Sequence, residues 1–121
     1  MYEIILYEDA RGNCPIEALI NELDGRAAKD KNARVALKQV RTYIDILERL
    51  GTRAGEPYTK HITGDIWELR PGKNRILFFG WTGKRIILLH WFRKKTRKTP
   101  TKEIEKAKNE MNEWIMAHGQ E

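Results

Sequence analysis

Two hydrophobic periods alternate along this chain. From Ala28 to Leu50, apolar residues return at steps of three and four: Ala33, Ala36, Leu37, Val40, Ile44, Leu47 and Leu50. That spacing lays one apolar stripe along a helix, and Gly51 ends it. A shorter stripe of Ile16, Leu19, Ile20 and Leu23 predicts a helix opened by Pro15 and stopped at Asp24-Gly25. Near the other end, Thr99-Pro100 reads as an N-cap and a first-turn proline. Ile104, Ala107, Met111, Trp114 and Ile115 then form the buried side of a last helix, closed by Gly119.

Between the helices the period falls to two. Over Asp65–Arg70, Ile66, Glu68 and Arg70 point one way and Trp67 and Leu69 the other. Pro71-Gly72-Lys73-Asn74 makes a turn into a second strand, Arg75–Trp81, and Thr82-Gly83-Lys84 turns it into a third, Arg85–Trp91. The runs Ile76–Phe79 and Ile86–Leu89 are apolar on both faces, as central strands require. Short turns make these three strands an antiparallel meander. Tyr2–Tyr7 predicts an N-terminal strand. The expected fold is therefore α+β: an antiparallel sheet of that strand plus the meander, with two N-terminal helices and one C-terminal helix on one face.

Length and composition add limits. At 121 residues, with no repeat or linker, the chain reads as a single domain over 1–121. Apolar stretches such as Ile86–Leu89 are too short to cross a bilayer, and the first residues carry acids where a secretion signal needs positive charge. A cytoplasmic protein with no membrane partner is expected. Cys14 stands alone, which excludes an internal disulfide and a cysteine zinc cluster and leaves a small packed thiol. His61, His90 and His118 share no metal-ligand spacing, serine is absent, and no glycine-rich loop precedes a helix. No metal and no cofactor are expected.

Charge changes the picture most. Residues 1–58 carry nine Lys/Arg and ten Asp/Glu, whereas residues 59–121 carry fourteen and seven. A basic half on a small domain points to a polyanion, nucleic acid above all. The cations also gather. Arg70 and Arg75 flank one turn, Lys60 and His61 approach from upstream, and His90, Arg93, Lys94, Lys95 and Lys98 lie at or beyond the end of the third strand. In a meander the start of strand two lies beside the end of strand three, so Arg75 is expected near His90 and Arg93. Converging cations would hold a phosphodiester and stabilise the added negative charge of its pentacoordinate transition state. A solvated basic surface is the plainer alternative, with His90 a hydrogen-bonded structural residue and Trp81 and Trp91 core.

The stretch GDIWELRPGKNRILFF, Gly64–Phe79, followed by ILLHWFRKKTRKTP, Ile87–Pro100, resembles the RelE/ParE toxin superfamily, and within it the phage-derived HigB-like branch. The resemblance covers nearly the whole chain. It implies the toxin of a type II toxin–antitoxin module: a metal-independent, ribosome-dependent mRNA endoribonuclease that arrests growth. The ribose 2′-hydroxyl would attack the adjacent phosphate, leaving a cyclic phosphate and a free 5′-hydroxyl. On that resemblance Arg70 and Arg75 hold the scissile phosphate, with Glu68 and His90 also catalytic candidates. Lys60, His61, Arg93, Lys94, Lys95 and Lys98 are candidates for contacting RNA. RelE carries lysines where Ile66 and Glu68 stand here, and a C-terminal tyrosine without counterpart, the last tyrosine being Tyr58. General acid and base therefore stay open among Glu68, His61 and His90. The implied partners are the ribosome, mRNA and a HigA-like antitoxin with a helix-turn-helix domain, in a toxin–antitoxin hetero-oligomer. Two alternatives stand beside this: a ParE-like inhibitor of DNA gyrase acting through the long helix, and a non-enzymatic RNA-binding module.

Overall fold

A computed structural model describes residues 1–119. The chain forms β1 (Glu3–Leu6), α1 (Pro15–Ala27), α2 (Lys31–Leu50), a 3-10 turn at Gly51–Ala54, β2 (Thr59–Thr63), β3 (Ile66–Leu69), β4 (Asn74–Trp81), β5 (Arg85–Arg93) and α3 (Thr101–His118). The α+β class and the meander β3-β4-β5 match the reading of the sequence.

Four features depart from it. First, the five-stranded sheet has the order β1-β5-β4-β3-β2, and β1 runs parallel to β5, so the sheet is mixed and not antiparallel. Second, β2 is a strand that the alternation along the sequence did not predict. Thr59 and Thr63 suit an extended backbone, and exposed Lys60 and His61 suit a sheet edge that must resist pairing. Third, the helices cover both faces. α1 and α2 pack with Leu69, Ile76, Phe78, Ile86 and Leu88. On the opposite face, Ala107 and Trp114 of α3 pack with Ile66, Leu77, Phe79, Ile87 and Leu89. Strands apolar on both sides need exactly such double cover, because either face left in water would forfeit its burial energy.

Fourth, the helix ends move. Gly25 lies within α1, where Arg26 ties the last turn to Glu22 at 2.9 Å and to Asp30 at 3.0 Å. α2 starts after Asp30, whose carboxylate accepts the N–H groups of Asn32 and Ala33. The position before α3 is Pro100, with no side-chain cap; the Thr99 hydroxyl is engaged elsewhere.

A bulge sets up the site. Leu77 pairs with His90 but Phe78 pairs with Leu88, so Leu89 is an extra residue in β5. Leu89 and His90 consequently both turn toward α3, while Trp91 packs on the α1/α2 side.

Candidate active site

Glu68 is the centre of the cationic cluster. It pairs in register with Leu77 on one side and Lys60 on the other, which puts all three on the α3 face. Arg70 follows two residues on, and Arg75 precedes Leu77 by two, so both arginines share that face. Arg70 Nε lies 3.4 Å and Arg75 Nε 3.8 Å from Glu68 Oε1. The other carboxylate oxygen, Oε2, accepts the Thr99 hydroxyl at 2.8 Å. Two guanidinium groups thus converge on one oxygen of a buried carboxylate, and the loop before α3 is fastened to the other.

The two arginines differ in access. Arg75 is buried, and its Nη1 donates to the carbonyls of Gly72 at 2.7 Å and Asn74 at 2.8 Å, bracing the β3–β4 turn. Burial pushes its pKa down, as does the like charge of Arg70, while Glu68 opposes them. A guanidinium nevertheless keeps its proton near neutral pH. Arg70 is the outward member, with 21% of its side chain exposed and only a loose 3.6 Å pairing to Glu56. Its Nε is buried beside Glu68 without a hydrogen bond, and its terminal nitrogens make none either among the described residues, so they are the donors left to spare.

The remaining predicted residues are not brought to one place. Lys60 and Lys98 line a small cleft of about 180 Å³ beside the cluster, together with His61, Thr99 and Ile104. Lys94 and Lys95 are exposed in the cationic loop that crosses to α3. His61 packs its ring against Trp67, and its Nε2 meets the Gly64 carbonyl at 2.8 Å. His90 is buried, with Nδ1 against Glu110 at 2.5 Å and Nε2 against Glu103 at 3.1 Å. Both its nitrogens are committed to α3, so in this conformation it ties strand to helix and has none to offer a substrate. Arg93 pairs with Asn74 and lies on the α1/α2 side. The expected meeting of Arg93 with Arg75 does not occur: Arg75 is opposite Phe92, and neighbouring strand positions face opposite ways.

Glu103 and Glu110 were not singled out from the sequence, and Thr99 only as a helix cap. Glu110 had a signal, because it falls between Ala107 and Trp114 on the apolar stripe of α3, where a carboxylate needs a buried partner. Thr99 had none, since its bond spans 31 residues. Among the described residues no cluster of His, Cys, Asp and Glu is arranged to hold a metal ion, and no helix is long and apolar enough to cross a membrane.

Compared with known proteins, residues 27–112 match the family model described as Phage derived protein Gp49-like (DUF891). That span runs from the last residue of α1 into α3 and contains every side chain of the cluster. No curated protein matches the chain.

Proposed function

Because the chain belongs to the Gp49-like family of phage-derived proteins, within the RelE/HigB toxin group, we propose that it is the toxin of a type II toxin–antitoxin pair that cleaves mRNA on the translating ribosome. One observation carries the nuclease reading: Arg70 and Arg75 meet at the Glu68 carboxylate on the cationic end of the sheet. Arg70 takes the scissile phosphate with its unspent donors. Arg75 holds the turn in shape and adds its charge from beneath. Together they stabilise the extra negative charge that develops as phosphorus becomes pentacoordinate.

Glu68 is assigned the proton of the attacking 2′-hydroxyl. The new bond forms from O2′ to phosphorus, the P–O5′ bond breaks, and the leaving O5′ takes up a proton from solvent, giving a cyclic phosphate and a 5′-hydroxyl end. Glu68 is the carboxylate within reach of both guanidinium groups, whereas His90 is locked and His61 is held by Gly64. Lys60, Lys94, Lys95 and Lys98 surround the cluster and suit the phosphates of mRNA or of ribosomal RNA. An acidic antitoxin covering this cationic end would silence it.

Mapping RNA ends after brief induction tests the reading. Cuts in frame with codons, lost with Arg70→Ala, are expected; oxyanion-type contacts of this kind are worth about 10²–10³ in rate. Arg70→Ala is the cleaner probe, since Arg75 also braces a turn. Growth arrest without RNA ends, accompanied by inhibited DNA supercoiling that survives Arg70→Ala, would replace the nuclease with a gyrase-directed toxin.

A further inference from the structure

The arginine cluster is not the one concave feature at this end of the sheet. A groove of about 460 Å³ opens on the opposite side of the β3–β4 turn, between α2 and the ends of β4 and β5. Asn32, Val35, Ala36 and Gln39 form one wall, and Gly72, Lys73, Asn74 and Arg93 the other. A second cavity of about 200 Å³ adjoins it, sharing Asn32, Ala36, Asn74 and Arg93. This second cavity adds Trp91 and the ion pair of Glu22 with Arg26.

Asn74 makes this groove more than a dent. Its side chain lines both cavities although the residue is only 6% exposed, and its amide has no hydrogen-bond partner among the described residues. The amide atoms are not sealed off, since Arg70 Nε is the fully buried side-chain polar atom without a partner among the described residues, so they face the groove with their hydrogen-bonding capacity unused. Gly72, at φ 62°, takes a backbone conformation that other residues adopt with strain, and a β-carbon there would push the Gln39 amide aside.

We propose that this groove takes one nucleotide of a single-stranded RNA, adjacent to the phosphate held by Arg70; the inference rests on the nuclease reading above. Asn32, Gln39 and Asn74 each present a donor and an acceptor, which matches base edges that carry both. A lone carboxylate or phosphate would use the amide donors only and leave the amide oxygens unmatched. The outer groove holds no acid, and Lys73 and Arg93 stand at its wall as partners for phosphate. Its volume lies in the range of small-molecule sites. Asn74 and Arg75 are consecutive with side chains on opposite faces, so a strand crossing the turn engages both sites.

The test follows the side-chain NH₂ signals of Asn32, Gln39 and Asn74 by NMR on adding a mixed-sequence single-stranded RNA hexamer. These signals are expected to shift in the wild type and in Arg70→Ala alike. Asn74→Ala should weaken hexamer binding about tenfold, the value of one well-placed hydrogen bond. Should Asn74→Ala not fold, exposed Arg93→Ala serves, with weakening of several-fold. Carboxamide signals unmoved at saturating hexamer would overturn the proposal, even with RNA cleavage intact. Signals that shift for an acidic decapeptide and not for the hexamer would assign the groove to a protein partner. Shifted signals without any cleavage on ribosomes would keep the groove and remove the nuclease.

Discussion

Single side chains divide the site between chemistry and scaffolding, and His90 shows the division most clearly. Its ring is buried between the carboxylates of Glu110 and Glu103. Removing it leaves two carboxylates without their shared partner, and breaking such a buried set costs about 3 kcal/mol. His90→Ala should therefore lower stability by that order in urea denaturation, while exposed His61→Ala changes it by no more than roughly 0.5 kcal/mol. An unchanged urea midpoint for His90→Ala would mean that the tie between β5 and α3 contributes nothing. At this scale the sequence showed half of the answer. Glu68, Arg70 and Arg75 were legible as neighbours because alternation along a strand and a short turn are local rules. Arg93 was not, since its face depends on counting from Phe92 through a bulged strand. Thr99 hid its role behind the stronger local reading of a helix cap.

Elements carry the next layer, and α2 is the longest of them. Asp30 stands where the chain enters it, accepting Asn32 and Ala33 N–H groups and pairing with Arg26. Its pKa is lowered, first by the Arg26 hydrogen bond and then by the Ala33 N–H. A carboxyl group depressed in the folded state stabilises above its unfolded value, near 3.9, and loses that contribution as pH falls through the folded value. Asp30→Ala should hence lower the thermal midpoint at pH 7, and the gap to wild type should shrink as pH drops below about 4. A gap that stays constant in acid would show that the carboxylate charge is not what caps α2. The helix stripes were legible because a period of 3.6 is written in consecutive residues. The parallel pairing of β1 with β5 was not, because no local pattern names a strand's distant partner. Cover on both faces was written in the doubly apolar runs of β4 and β5, though which helix supplied it was not.

Over the whole molecule the charge asymmetry acquires a location. Cations reach one end of the sheet from both sides: Lys60, Arg70 and Lys98 on the α3 face, and Lys73 and Arg93 by the groove across the turn. Single-stranded RNA wrapped over that end releases counterions, so log affinity should fall linearly with log salt, at roughly −0.7 per neutralised phosphate and about −3 for four contacts. Fluorescence anisotropy of a labelled hexamer over a salt series measures this, and a slope near zero would exclude phosphate gripping. The parallel contact between β1 and β5 carries a last consequence. Glu3 is matched with Arg85 and Leu6 with Leu88, so the first strand finds its neighbour only after most of the polypeptide has been made. During synthesis the amino-terminal segment must wait without a sheet to join, and pairing across so wide a sequence interval is slow to close. The fifth strand, Arg85–Arg93, thereby decides when the first can leave solvent and the sheet can close.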